Sequence, residues 1–388
     1  MKCPRCGNEN PHFFYDNGKN KYCRKCISFR RIFIDETPES NIEKLETINP
    51  SYQLSFELTK HQIDISAKVL LNVLNNHHVL IRAVCGAGKT ELVYETIHHY
   101  LMKGKRVGFA ISRRQIVLEL ATRFQKVFTS LKVVAVCEGH TKITNGDLII
   151  CTTHQLYRYY QAFDLLILDE PDAFPFVGNS ALVNIANNSC RGQIIYLSAT
   201  PDASLLQLVD SGELVRLDLP IRPSNLPLPL PQVYYLPKIR MYVYLVKWLS
   251  LKKQKKRQGL IFVPTIELAN KLMLVLKRYF SVNVITSKTI NKEELINRYR
   301  NKQLQFLICT TVLERGVTFE GIDILVLQAQ HIVFNTSTLI QIMGRVGRGI
   351  NDTSGEAILL SNSKTTSIND CIESIHLDNQ LAFGVTKI

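Results

Sequence analysis

The chain has 388 residues and a formal charge of +14, from 47 Lys and Arg against 33 Asp and Glu. This length accommodates two or three domains. A content of 46% hydrophobic and 21% charged residues excludes wholesale disorder. No apolar run approaches the ~20 residues that a helix needs to cross a bilayer, and a cysteine motif stands where a signal peptide would begin. The charge favours a polyanionic partner, nucleic acid first and an anionic membrane surface second, but names neither.

Two C-x-x-C pairs lie at the start of the chain. Their cysteines are Cys3, Cys6, Cys23 and Cys26. The spacing matches the C-x₂-C-x₁₅₋₂₀-C-x₂-C pattern of zinc sites, in which each pair directs two thiolates at one tetrahedral Zn²⁺. A pair of disulfides is the alternative, and it suits a reducing cytosol poorly. We predict a four-cysteine zinc module over residues 1–34, whose many basic residues leave open whether it binds nucleic acid or a protein.

The aromatic residues of this module allow two interpretations. They could stack bases, but in so small a module we expect them to form its hydrophobic core. They are Phe13, Phe14, Tyr15 and Tyr22.

A polar stretch follows the module, and then the first long helical pattern. Residues 35–54 are predicted to be a linker, with a short helix as the alternative. The segment LTKHQIDISAKVLLNVL, residues 58–74, predicts an amphipathic helix with Thr59 as its cap and Gln62 on the next turn.

Residues 77–95, HHVLIRAVCGAGKTELVYE, place a strand, a glycine turn, Lys-Thr and a helix in succession. This is the layout of a phosphate-binding loop, where backbone N–H groups and a helix N-terminus hold phosphates. Lys89 would reach the outer phosphates, and Thr90 would offer its hydroxyl to Mg²⁺. A glycine turn without a ligand is the alternative, but the flanking strand and helix favour the phosphate loop. The predicted nucleotide-binding residues of the loop are Gly86, Ala87, Gly88, Lys89 and Thr90.

From residue 55 onwards, apolar strand-like runs alternate with amphipathic stretches. This alternation predicts α/β domains with parallel sheets covered by helices. Five prolines within residues 219–232, LPIRPSNLPLPLPQ, exclude a helix and favour an extended connector. We therefore predict domains at 55–220 and 233–388, joined by a connector at 221–232. The basic run at 251–259 is expected to be a solvated helix end, with a phosphate or lipid patch as the alternative.

Asp169 and Glu170 end the apolar run FDLLIL, and Pro171 and Asp172 follow them. Asp169 would hold Mg²⁺ through its water shell, and Glu170 would orient or deprotonate the attacking water. An acidic strand end without chemistry is the alternative, but the phosphate loop about eighty residues upstream favours catalysis. Further on, the hydroxyls of Ser198-Ala199-Thr200 could link this carboxylate cluster to the neighbouring domain.

The second half contains the run QIMGRVGR, residues 341–348. We expect Arg345 and Arg348 to lie on one side of a helix start and to neutralise charge that builds on the γ-phosphate. A surface arginine pair is the alternative. Upstream, residues 310–319, TTVLERGVTF, follow a strand and suit contacts with a phosphate backbone.

In this order the motifs resemble those of superfamily-2 helicases and translocases, over roughly residues 55–350. The resemblance implies two RecA-like domains in tandem and hydrolysis of ATP to ADP and phosphate. It also implies that Gln62 reads the adenine and that Gln341, which opens the arginine motif, joins the catalytic set. The nucleic-acid contacts that it implies are Arg113, Arg114, Thr152, Thr153, Thr265, Thr310, Thr311 and Arg315.

Three features resemble the ComFA family of late competence proteins more narrowly. They are the cysteine module before the helicase core, the phrase LDEPDAFPF at 168–176 and PLPLP in the connector. This implies a DNA-stimulated ATPase at the cytoplasmic face of the cell membrane that draws transforming single-stranded DNA inward. Its partners would be the uptake channel and a ComFC-like protein, and an oligomer is allowed. The alternative is a PriA-like helicase that unwinds DNA in replication restart or repair.

Overall fold

The computed structural model describes residues 1–38, 40, 51–314, 319–348 and 354–384. Arg315, and residues 39 and 41–50 of the predicted linker, lie outside these ranges. The chain forms two compact units. The first comprises Met1–Ala83 and Gly88–Leu219, and the second comprises Val84–Ala87 and Pro220–Ile388.

The N-terminal module is a small antiparallel hairpin between the two cysteine pairs. Strand β1 is Phe14–Asp16 and strand β2 is Lys21–Cys23, flanked by 3₁₀ turns at Pro11–Phe13 and Ile27–Phe29. Gly7, at φ +64°, makes the turn after the first pair. The prediction of an aromatic core holds for Phe14, which is buried, but is wrong for Phe13 and Tyr15, which are 42% and 40% exposed.

The first unit contains a seven-stranded parallel sheet in the order β5-β6-β4-β7-β8-β3-β9. Its helices are α1 (Lys60–Leu74), α2 (Tyr94–Met102), α3 (Arg114–Val127), α4 (Ser180–Ser189) and α5 (Ala203–Asp210). Its strands are β3 (His78–Ala83), β4 (Val107–Ile111), β5 (Val133–Val136), β6 (Leu148–Thr152), β7 (Phe163–Asp169), β8 (Cys190–Ser198) and β9 (Leu214–Leu219). Two 3₁₀ helices, Glu91–Val93 and Thr153–Arg158, complete it.

The second unit contains a six-stranded parallel sheet in the order β10-β15-β14-β11-β13-β12. Its strands are β10 (Gln232–Tyr235), β11 (Gln258–Phe262), β12 (Val282–Ile285), β13 (Phe306–Cys309), β14 (Ile322–Leu327) and β15 (Ala357–Ser361). Its helices are α6 (Lys238–Gln254), α7 (Ile266–Leu276), α8 (Lys292–Arg300), α9 (Thr336–Met343) and α10 (Thr366–Phe383), with a 3₁₀ turn at Thr311–Leu313.

The two sheets share one strand order once β9 is set aside. Strands β3 to β8 of the first sheet correspond, in sequence, to β10 to β15 of the second. The predicted α/β class with two parallel sheets is therefore confirmed. The extra edge strand β9 was not anticipated. Within the described ranges, no helix combines the length and the apolar character needed to cross a membrane.

One part of the second core departs from expectation. Lys252, within the basic run predicted to be solvated, is only 5% exposed. Its Nζ lies 2.8 Å from Oδ2 of Asp323, a buried residue of β14, and also pairs with Glu356. A buried ammonium requires such carboxylates because desolvation disfavours an isolated charge.

Candidate active site and metal centre

Strand register brings the motifs of the first unit to one edge of its sheet. Asp169 of β7 lies opposite Ile111 of β4, which lies opposite Thr152 of β6. On the other side of β7, Ser198 at the end of β8 lies opposite Arg82 of β3. Because all these strands are parallel, the phosphate loop, the carboxylates and the Thr152 motif follow their carboxyl ends at the same edge, where open α/β sheets bind ligands.

The phosphate loop begins directly after β3 and depends on its glycines. Gly86 and Gly88 have φ of +87° and +82°, conformations that side-chain-bearing residues rarely adopt. Lys89 follows them, and its Nζ donates to the carbonyl oxygen of Ala83 over 3.3 Å. In the described structure no side chain caps the 3₁₀ turn that starts after Thr90. The N–H of Glu91, which opens this turn, donates instead to the Gly88 carbonyl over 3.1 Å, so phosphate contacts are expected from the loop residues before it.

Gln62 connects the cap of α1 to this loop. Thr59 accepts from the Gln62 N–H, and the Gln62 side chain accepts from the Thr59 N–H over 2.9 Å, so the predicted cap is a full capping box. Gln62 is 3% exposed, and its Nε2 lies 2.6 Å from the place that a Cβ on Gly88 would occupy. The glutamine predicted to read the adenine thus packs against the phosphate loop.

The carboxylate cluster stands on an unusual backbone. Glu170 has φ +53°, in the left-handed region that costs energy for a residue with a side chain. Its N–H donates to the Leu197 carbonyl over 2.9 Å. The hydroxyls of Ser198 and Thr200 donate to the two carboxylate oxygens of Asp172 over 2.6 and 2.9 Å. These hydroxyls therefore fix the end of the carboxylate cluster, within the first unit.

The arginine motif lies at the end of a helix, which corrects the expectation of a helix start. Helix α9 ends at Met343, before both arginines. Arg345 is 2% exposed, whereas Arg348 is half-buried and its Nε donates to the Gly344 carbonyl over 2.7 Å. Gln341 is buried in the last turn and accepts from Cys85 Sγ over 3.1 Å, within the second unit.

Arg222 is a further residue of this region that the motifs did not reveal. It is 5% exposed and donates to the carbonyls of Cys85 over 2.9 Å, Val346 over 2.7 Å and Gly344 over 2.8 Å, all within the second unit. Burial lowers its pKa to about 10. Its only sequence signal is a position between two prolines of the connector, which gives no reason to expect burial.

The described residues predicted to contact nucleic acid follow strand ends in both sheets. In the first unit, Arg113 precedes α3, Nε of Arg114 donates to the Glu138 carbonyl, and Thr152 and Thr153 are 7% and 3% exposed. In the second unit, Thr310 and Thr311 follow β13. There, too, Thr265 follows β11 and its hydroxyl caps α7 by accepting from the Leu268 N–H over 3.1 Å.

The four cysteines of the N-terminal module converge on one point. All are buried, and their sulfur atoms lie within 4.8 Å of one another. The Sγ–Sγ distances are 3.7 Å for Cys3 and Cys26 and 3.8 Å for Cys6 and Cys23. A tetrahedral ion with Zn–S bonds of about 2.3 Å requires sulfurs about 3.8 Å apart. The donor set and its spacing therefore fit Zn²⁺.

The module is docked on helix α4 of the first unit. Asn184 and Asn188 donate through Nδ2 to the carbonyls of Cys6 and Arg5, over 2.8 and 2.9 Å. Lys25 Nζ donates to Ser180 Oγ at the start of the helix over 2.9 Å. The cysteines also belong to a continuous buried cluster that contains residues of β7, β8 and α4. The four-cysteine cluster is thus part of the first unit's core.

Comparison with known proteins decides the family. Residues 55–203 match the model of the type III restriction enzyme res subunit, and residues 238–349 match the helicase conserved C-terminal domain. The chain is 34% identical to competence protein ComFA of Streptococcus pneumoniae, over 98% of this chain and 90% of that protein. The chain belongs to the ComFA family. ComFA of Bacillus subtilis is 33% identical, over 99% of this chain and 87% of that protein.

A solved structure supports the fold of this ComFA-family chain. S. cerevisiae Dbp5, bound to RNA and ADP BeF3, matches with a TM-score of 0.62 and 18% identity, over 85% of this chain and 93% of that one. The chain is therefore an ATP-hydrolysing superfamily-2 helicase built on two RecA-like domains, with a four-cysteine cluster at its N-terminus.

Proposed function

We propose that this ComFA-family chain is an ATP-dependent single-stranded-DNA translocase that drives transforming DNA into the cytoplasm. The observation that supports this most is the shared edge of the first sheet. There the phosphate loop, Asp169 and Glu170 stand beside the motif of Thr152 and Thr153. A conformational change at the phosphate loop would therefore also move the residues proposed to hold the DNA strand.

In the proposed reaction, Lys89 and the loop amides hold the triphosphate. Thr90 and Asp169 are the residues that would hold Mg²⁺, which neutralises charge on the phosphate oxygens when bound. Glu170 accepts a proton from the attacking water as the water oxygen bonds to the γ-phosphorus and the bond to the leaving ADP oxygen breaks.

Arg345 and Arg348 would neutralise the charge that develops on the phosphoryl oxygens. The two arginines differ in burial and therefore in the part each would play. The half-buried Arg348 is the better placed to reach a ligand, whereas the 2% exposed Arg345 would act mainly by holding the motif in shape.

The remaining assignments rest on membership of the ComFA family. We propose that the chain works at the inner face of the cell membrane, with the uptake channel and a ComFC-like protein as partners. Zn²⁺ bound by the four cysteines would stabilise the N-terminal module.

The test is the ATPase rate with matched single-stranded DNA, duplex DNA and RNA. We expect the greatest stimulation by single-stranded DNA and none in a Lys89→Ala variant. Equal stimulation by RNA would contradict the choice of polymer. Displacement of a strand from a forked duplex, without other proteins, would instead favour the PriA-like unwinding activity.

A further inference from the structure

A cleft of about 370 Å³ lies between the cysteine module and the 3₁₀ helix Thr153–Arg158 of the first unit. Four arginines are among the residues that line it, Arg5, Arg30, Arg31 and Arg158. We propose that this arginine cleft binds the phosphate backbone of single-stranded nucleic acid. The proposal deepens the proposed function and rests on it for the identity of the strand.

The charge of the arginine cleft is not neutralised from within. Among the described residues, none of the four guanidiniums forms an ion pair, and Glu36 is the one acidic residue that lines the cleft. The Glu36 carboxylate already accepts from the backbone N–H of Phe33 over 2.9 Å. Arg30 and Arg31 are exposed, with the Arg31 guanidinium 4.8 Å from the Tyr22 ring centroid, and phosphate is the anion that guanidinium groups bind best.

Arg5 is a second, independent sign of a ligand. It is 91% buried, since only 9% of its surface is exposed. Its Nη1 donates to the Arg30 carbonyl over 2.5 Å, but its buried Nε has no hydrogen-bond partner in the described part of the chain. A buried charged donor without a partner is costly, and a small turn of the Arg5 side chain towards a phosphate in the cleft would give this Nε a partner.

An aromatic ring completes the site. Tyr157 lines the cleft, with the guanidinium carbon of Arg158 4.9 Å from its ring centroid and that of Arg5 5.8 Å away. Surfaces that bind single strands combine cationic groups for the backbone with aromatic rings for the bases. The cleft offers both within one short helix and the adjoining module.

The arginine cleft lies close to Thr152 and Thr153, the residues of the first unit predicted to contact the nucleic-acid backbone. The 3₁₀ helix begins at Thr153, a predicted backbone contact, and ends at Arg158, roughly 10 Å further on at 2 Å per residue. Phe29 of the module contacts His154 beside that motif, with ring centroids 6.1 Å apart. A strand held at Thr153 would therefore pass the arginine cleft within a few nucleotides.

The metal site explains how the arginines are held. Arg5 lies between Cys3 and Cys6, and Arg30 and Arg31 follow Cys26 within five residues. The Arg5 carbonyl is fixed to α4 by Asn188. The cysteines thus set one wall of the cleft, and Arg158 of the helicase domain forms the other. This division gives the module a role in positioning nucleic acid rather than in catalysis.

The experiment measures binding of a fluorescent 30-nucleotide oligo(dT) to the full chain by anisotropy at several salt concentrations. We expect Arg31→Gln and Arg158→Gln each to weaken binding about fivefold at 0.1 M salt. Each should also lower the slope of log K against log salt by about 0.7 for every phosphate that the variant no longer neutralises. Zinc content and unfolding temperature should match the wild type, which separates weaker phosphate binding from a damaged fold.

Lys19→Gln is the matched control, because Lys19 is an exposed cation on the hairpin of the same module and does not line the cleft. Wild-type affinity in both arginine variants, or an equal loss in Lys19→Gln, would overturn the proposal. Poly-glutamate serves as a probe for an acidic protein partner. If the arginine variants lost binding to poly-glutamate but kept binding to oligo(dT), the proposal would also be overturned, in favour of such a partner. If the variants lose oligo(dT) but single-stranded DNA does not stimulate the wild-type ATPase, the cleft stands and the translocase proposal fails.

Discussion

The two parallel sheets have the same strand order, yet their first connections differ. In the first unit, β3 leads into the glycine loop of residues 84–90. At the corresponding place in the second unit, β10 is joined to α6 by Leu236 and Pro237 alone. A two-residue link without glycine cannot turn successive N–H groups towards a phosphate. This connection can therefore hold a phosphate after β3, whereas after β10 it only joins a strand to a helix.

The ends of β7 and β14 extend this comparison. The residue after each strand has a positive φ, +53° at Glu170 and +58° at Gln328. The backbone is thus shared, but the first unit places a carboxylate there and the second an amide, whose Nε2 donates to the Tyr242 hydroxyl over 3.1 Å. An amide cannot accept a proton from water, so only the first site suits hydrolysis.

The strands β6 and β13, by contrast, have the same three residues at their carboxyl ends. Cys-Thr-Thr stands at residues 151–153, where β6 ends at Thr152, and at residues 309–311, where β13 ends at Cys309. The comparison teaches that the Thr-Thr pair proposed to contact nucleic acid occurs in both units, whereas Lys89 and the carboxylates proposed for ATP chemistry occur in the first unit and the proposed arginine pair in the second.

The largest effect should come from the phosphate loop. Lys89→Ala removes the charge proposed to contact the outer phosphates and should lower kcat for ATP by about 10³-fold. The matched control is Lys238→Ala at the start of α6, the corresponding helix of the second unit, which should retain kcat. Steady-state ATPase assays with single-stranded DNA give both values. A similar loss of kcat in Lys89→Ala and Lys238→Ala would contradict the difference proposed between the two units.

Glu170→Gln makes the end of β7 resemble the end of β14. Because an amide cannot take the proton, kcat should fall by about 10²-fold or more. The dissociation constant of a fluorescent ATP analogue should change little. Gln328→Glu should not create activity in the Lys89→Ala background. Turnover within about threefold of wild type would show that Glu170 is not the base.

Gly88→Ala tests whether the loop needs its glycine. At φ +82° an alanine is strained, and its Cβ would lie 2.6 Å from Gln62 Nε2. We expect KM for ATP to rise about tenfold and the free energy of unfolding to fall by about 1–3 kcal/mol. Pro237→Ala, in the corresponding link, should leave KM unchanged. Urea unfolding and ATP titrations measure the two effects, and an unchanged KM would contradict the role of the loop.

The smallest effect concerns acid sensitivity of the first sheet. His78 begins β3 and accepts from the Ile194 N–H over 2.9 Å through Nδ1, and burial lowers its pKa below the usual 6.5. Because the pKa is depressed in the folded chain, the contribution of neutral His78 to the free energy of unfolding is complete above pH 6.5. It is lost as pH falls, at up to about 1.4 kcal/mol per pH unit. Urea unfolding at about pH 5 and pH 7 should show a smaller difference in His78→Asn than in wild type. An identical difference would remove His78 as the cause.

Local patterns predicted much of this structure. The strands, the Thr59 cap of α1 and the convergence of four cysteines follow from spacing within short segments. Contacts between distant segments were not predictable in this way. Arg222 is held by carbonyls more than 120 positions away in sequence, and the buried Lys252 pairs with the distant carboxylates of Asp323 and Glu356. The exposure of Phe13 has the same origin, since docking on α4 gives the module a core that its own sequence does not supply.

That docking has a consequence for the order in which the chain matures during synthesis. The carbonyls of Arg5 and Cys6 meet their asparagine donors 183 and 178 residues later in the chain. At translation speeds of about 5–20 residues per second, the module would wait about 10–40 s for helix α4 to emerge. All four cysteines are made early in that interval, but helix α4, on which the module docks, is made only after most of the first unit.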